Sequence, residues 1–165
     1  MYRREEKNIK DILYILEHLR PEDKEEIEHQ IGKEYIWKCL KDIMDSEGNI
    51  VMGYTKDGDR PVLMGGCSNA ADGVGIVWLL CTEEIYQHPV KVLKHIKKEI
   101  ELYQKNHFIL SNIIYHKNKL AKIWLKKLGF KFDNPSGVKL PDGFEFFYKK
   151  KNMRGLNNAN SSAVS

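Results

Sequence analysis

Asn118 to Phe130 reads Asn-Lys-Leu-Ala-Lys-Ile-Trp-Leu-Lys-Lys-Leu-Gly-Phe, and this stretch decides the fold. Leu120 and Trp124 stand one helical turn apart with Lys122 between them, which predicts a helix over Lys117–Leu128. Gly129 follows that helix directly. Upstream, Phe108–Tyr115 is an apolar run of strand length. Before that, a helix is expected from Pro89 to Lys105, with Val92, Leu93, Ile96, Ile100 and Tyr103 on one stripe. Gly75–Cys81 (GIVWLLC) is apolar at nearly every position, the pattern of a central strand covered on both faces.

Further from this core the signals are punctuation. Ile50–Lys56 and Pro61–Cys67 read as a hairpin around Asp57-Gly58-Asp59-Arg60, followed by a small-residue loop, Ser68–Gly73. Three helices are expected before it. Asn8 caps one that runs to Leu19 with Ile9, Ile12, Leu13 and Leu16 on one face. Pro21 opens a second, Glu22–Gln30, whose early acids suit its positive end. The third, Lys33–Met44, turns Ile36, Trp37, Leu40 and Ile43 or Met44 inward. A short strand is marked near Met1–Arg4, and Phe144–Lys150 closes the chain as a last strand. The order gives a mixed α/β fold: one twisted sheet, an antiparallel hairpin plus a central parallel strand pair, and helices on both faces. Lys151–Ser165 is rich in Asn and Ser and reads as a disordered polar tail.

With 165 residues, 42% apolar and 30% charged, the chain is expected to be one soluble domain. It shows neither a signal peptide nor an apolar run of membrane length. Three cysteines without a C-x-x-C pair fit a reducing compartment. Charge is unevenly placed. Residues 1–49 hold nine Lys/Arg against thirteen Asp/Glu, whereas residues 88–131 hold eleven Lys against two Glu. The second region is either a solvated face or a surface for an acidic partner. Few arginines and no aromatic interleaving argue against specific nucleic-acid binding. Six histidines show neither H-E-x-x-H spacing nor pairing with carboxylates, so no metal is expected.

Asn118, Ala121, Leu128, Gly129 and Phe130 stand where the last helix of GCN5-related N-acetyltransferases (GNAT) carries Asn, Ala and a closing Leu-Gly-Phe. The chain resembles that family over roughly Arg3–Lys149. The run Gly75–Ile85 (GIVWLLCTEEI), then His88-Pro89, the N-x-x-A-x-x-W-L-x-x-L-G-F pattern and a closing aromatic strand are more closely similar to a phage family of GNAT-like proteins. That family resembles the internal virion protein A of short-tailed phages. The resemblance implies a GNAT-like domain over residues 1–150, in a phage-encoded protein of virion assembly or the virion interior with a degenerate acyl-CoA site. It would be found in the host cytoplasm or the virion, with other virion or assembly proteins as partners. The alternative is an active acetyl-CoA-dependent N-acyltransferase on an unknown amine.

The resemblance also implies where acetyl-CoA would lie: at the splayed edge between the fourth and fifth strands, near Leu80, Cys81, Thr82, Gln87, Asn118 and Trp124. Its pyrophosphate would rest on the next helix start, where backbone N–H groups and glycines let it approach. Here Gln87 can begin a Q-x-x-G-x-G pattern, but Val90 and Val92 replace the glycines and Pro89 has no N–H. The tyrosine that usually protonates the leaving thiolate is Leu125. Tyr115 and Tyr86 are candidate substitutes, or packing residues. Glu83 and Glu84 are candidate bases for the amine, or the acidic first turn of a short helix. Asn118 either holds the cofactor arm or the strand-to-helix corner, or simply caps its helix.

Overall fold

The computed structural model describes residues 2–48 and 50–152, with the backbone alone at residues 3–5. In chain order it forms β1 (Tyr2–Glu5), α1 (Ile9–Glu17), α2 (Pro21–Ile31), α3 (Tyr35–Asp45), β2 (Ile50–Tyr54), β3 (Pro61–Ala71) and β4 (Val74–Cys81). A 3₁₀ turn (Glu83–Gln87) then leads to α4 (Pro89–Asn106), β5 (Ile109–Tyr115), α5 (Lys119–Lys127), β6 (Lys131–Phe132) and β7 (Phe144–Lys150). The strands make one seven-stranded sheet in the order β1-β2-β3-β4-β5-β7-β6. Only β4 and β5 run parallel; every other neighbouring pair is antiparallel. The mixed α/β reading stands. The proposed tail lies outside the described residues from position 153 onward.

Two apolar layers sandwich the sheet. On one face α1–α3 bury Ile12, Ile15, Leu16, Ile27 and Ile43 against Ile50, Met52 and Met64. On the other, α4 and α5 bury Ile100 and Leu128 against Val77, Leu110, Ile114 and Phe147. Asn8 caps α1 through a side-chain acceptor for the Lys10 N–H, 2.9 Å away. The Leu-Gly-Phe close of α5 is a Schellman turn. Gly129 sits at φ 84° and donates to the Lys126 carbonyl, and Phe130 donates to that of Leu125.

Three expectations fail. Ile9, placed on the apolar face of α1 with Ile12, is 51% exposed, and Ile15 is buried instead. Trp37 is 71% exposed, and Tyr35 takes the inward place with its hydroxyl on the Leu16 carbonyl. The buried stripe of α3 runs through Tyr35, Cys39 and Ile43, four residues apart, and Trp37 lies off it. The loop expected at Ser68–Gly73 is mostly strand, because β3 continues to Ala71 opposite Val74 and turns only at Asp72-Gly73.

Candidate functional site

The site begins where the sheet comes apart. β4 and β5 pair at Val74–Ile109, Gly75–Leu110 and Ile76–Ser111, and then diverge. Asn112 bridges the start of the gap, donating its side-chain amide to the Val77 carbonyl at 2.9 Å. Beyond it lies a cavity of about 220 Å³, walled by Leu79, Ile114, Ala121, Trp124 and Leu125 and closed on the opposite face by α2. Thr82 donates its N–H to Val62 on β3, while the N–H of Cys81 points the other way. Strand alternation therefore turns the Leu79 N–H into the gap, where no strand pairs with it.

A buried polar network closes the α2 side. Arg20, immediately before α2, binds Asp23 through one guanidinium nitrogen, which also reaches the Asn118 carbonyl oxygen at 3.1 Å. The Asn118 amide donates back to Asp23 at 3.1 Å and to Glu26 at 2.8 Å. The other oxygen of Asp23 accepts the Cys81 N–H at 3.0 Å. Arg20, Asp23 and Asn118 are all buried. Burial opposes the charge on Arg20, but Asp23 outweighs it and Arg20 stays a cation. Burial pushes the Asp23 carboxyl above its usual range, against the pull of Arg20 and its hydrogen bonds. Burial also pushes Glu26 up to about 7; the Asn118 bond holds it down in part, and neighbouring Asp23 raises it further.

The sequence-derived candidates divide between two places. Leu80, Cys81, Asn118 and Trp124 all line the cleft. Trp124 is 8% exposed and packs with Leu63, Cys81, Ile85 and Val92. Asn118 makes no side-chain cap on α5; it is the hub of the network instead. Glu83, Glu84 and Gln87 line a separate depression with Tyr14, His18 and Arg60. There Thr82 donates its hydroxyl to Glu84, which holds that carboxyl below its usual range, and Arg60 pairs with it at 3.5 Å. Tyr86 donates to Glu22, and Tyr115 stacks on His29 with ring centres 4.5 Å apart. Burial pushes the Cys81 thiol far up, so it is no nucleophile.

At the start of α4 the two valines differ. Val92 is 2% exposed and turned into the core, clear of the helix start, whereas Val90 is 66% exposed. The first intrahelical bond is Val92 to the His88 carbonyl, which leaves the N–H groups of Val90 and Lys91 free of the helix ladder. Among the described residues, no group of His, Cys, Asp and Glu could hold a metal, and no helix is long and apolar enough to cross a membrane.

Sequence reasoning missed Arg20, Asp23 and Glu26. It read the acids of α2 as serving the helix dipole. The usable signal was spacing, because Arg20, Asp23 and Glu26 recur every third residue on the stripe that carries Ile27.

No family model matches the chain, and no curated protein sequence matches it. Solved structures do. An acetyltransferase from Streptococcus agalactiae superposes with a TM-score of 0.70 at 12% identity, covering 92% of this chain and 98% of that one. AAC(6')-Ib in complex with ribostamycin and coenzyme A gives 0.68 at 15%, covering 98% and 99%. An acetyltransferase of the GNAT family from Streptococcus pneumoniae gives 0.55 at 13%, covering 92% and all of that chain. The fold is that of the GNAT acetyltransferases.

Proposed function

We propose, from this acetyltransferase fold, that the protein transfers an acyl group from a coenzyme A thioester to an amine. The observation that carries the reading is the parting of β4 from β5 after Ile76, with the Leu79 N–H facing an apolar opening. The residues present fit the narrow part of such a donor. Leu79 supplies backbone hydrogen bonding, and Ala121 and Trp124 supply apolar walls. The phosphates would meet the free N–H groups of Val90 and Lys91 and the exposed ammonium groups of Lys91 and Lys94. This cradle has two donors and no glycine.

A bound thioester supplies a carbonyl that an amine can attack, with the thiol as leaving group. The chain's part is to polarise that carbonyl through the Leu79 N–H and to keep water from it. Cys81 does not share the first task, since its N–H is held by Asp23. Leu125 gives the leaving sulfur no proton, so protonation falls to solvent. The test is thiol release from acetyl-CoA across a panel of primary amines, with the product weighed by mass spectrometry. Amine-dependent release with an equal amount of N-acetylated product is expected. No release with any amine would overturn the reading.

One observation favours the second reading, a scaffold in virion assembly: a buried Arg20–Asp23–Asn118 network fills one side of the cleft. Neither a family model nor a curated sequence ties the chain to virion proteins. Docking would then use the exposed lysines of α4. Lys94→Glu with Lys98→Glu should weaken incorporation into virions, and normal incorporation would discard that surface.

A further inference from the structure

We propose that Glu26 is the general base of this transfer, taking the proton of a primary aliphatic amine bound in the cleft beside α2. The inference rests on the acyl-transfer reading above and names the residue and substrate class that complete it.

Three carboxyl groups line the cleft: Asp23, Glu26 and Glu99. Asp23 is 3% exposed and committed to Arg20, Asn118 and the Cys81 N–H. Glu99 is buried on α4, on the opposite face of the sheet, with His95 3.6 Å from it. Glu26 alone is half-buried, one turn along α2 from Asp23 and beside the end of β5. Its Oε2 accepts from Asn118 at 2.8 Å, and the Tyr115 backbone N–H also bonds to it. Both contacts fix the carboxyl where the strands part, and neither removes it from the cavity wall. The Glu83 and Glu84 carboxyls lie in the other depression and cannot serve this opening.

The surroundings suit a base that works near neutrality. Burial raises its basicity, Asp23 on the same helix raises it further, and Arg20, Asn118 and the Tyr115 amide limit the rise. At the rim, His29 stacks on Tyr115, and Glu25 pairs with Lys117 at 2.9 Å. An aliphatic primary amine arrives as an ammonium ion, attracted to a carboxylate and inert until it loses a proton. Glu26 takes that proton. The amine nitrogen then forms its bond to the thioester carbon and the carbon–sulfur bond breaks. The second nitrogen proton passes through water to the sulfur, and the proton on Glu26 returns to solvent. Amide, thiol and one released proton account for every atom and charge.

The test compares wild type with Glu26→Gln and Glu26→Asp. Glutamine keeps an acceptor for Asn118 but cannot take a proton, whereas aspartate can. In wild type the rate should fall as pH drops through about 7. Glu26→Gln should lower kcat by roughly 10²-fold or more with an unchanged KM for acetyl-CoA. It should also lose that pH limb, and Glu26→Asp should retain part of both. Independently of turnover, carbon NMR of protein labelled at the glutamate carboxyl carbons should show one resonance titrating near neutrality, absent from Glu26→Gln. Wild-type activity with an unchanged rate and pH limb in Glu26→Gln would overturn this assignment alone. No amine-dependent thiol release by the wild type would overturn the parent reading and this one with it.

Discussion

Glu26 should destabilise the protein that carries it, and the cost should depend on pH with a definite sign. Its ordinary value of 4.5 applies to the unfolded chain, and the fold raises it to about 7. Below pH 4.5 the group is neutral in both states and costs nothing. Between 4.5 and 7 the unfolded chain releases the proton and the folded one keeps it, so stability falls as pH rises. Each pH unit in that window removes ~1.36 kcal/mol, and the loss levels off near 3 kcal/mol above pH 7. Glu26→Gln removes the titration and leaves the Asn118 contact in place. Urea unfolding of both proteins from pH 4.5 to 8.5 reads the difference, since titrating groups that do not interact with Glu26 cancel in the comparison. The variant should be nearly equal to wild type at pH 4.5 and up to about 3 kcal/mol more stable at pH 8. For a chain of this length that is a rise in Tm of very roughly 5–10 °C. Parallel stability curves would refute the reasoning, because they would mean that the fold does not perturb Glu26.

The network and the helix end make further claims. Arg20→Met should cost about 3–5 kcal/mol by leaving Asp23 buried without its cation; adding Asp23→Leu should recover most of it, read by the same urea series. Gly129→Val should destabilise by at least 1–3 kcal/mol, since a β-branched residue must adopt φ 84° there, and Gly129→Asn should be milder. Leu125→Tyr should raise turnover at least tenfold if the hydroxyl reaches the leaving sulfur, at a packing cost of about 1–3 kcal/mol in the melting curve. Unchanged turnover in a folded variant would remove position 125 from the reaction.

The fold was legible where local chemistry and packing agree. Leu128-Gly129-Phe130 announces a Schellman close, and Gly75–Cys81 announces a strand covered on both faces, without reference to the rest of the chain. Trp37 was misread because a large apolar side chain near a helical stripe looks buried; only the exact phase of α3 against α1 turns it out. The site was less legible, because it is made by elements far apart in sequence. Asn118 looks like a cap until Arg20 and Asp23, almost a hundred residues away, are brought to its side chain. Glu83 and Glu84 lie close to β4 in sequence, yet the turn after Thr82 carries them to the other depression. Spacing puts Glu26 on the stripe of Arg20 and Asp23, but its basicity comes from burial that the sequence does not show.

The direct test of the central claim is isothermal titration of the full chain with acetyl-CoA and with free coenzyme A, up to millimolar ligand. Saturable one-to-one binding of both is predicted, weakened by added salt because exposed lysines meet the phosphates. No heat with either ligand at that concentration would contradict the account and leave the parted strands without a donor.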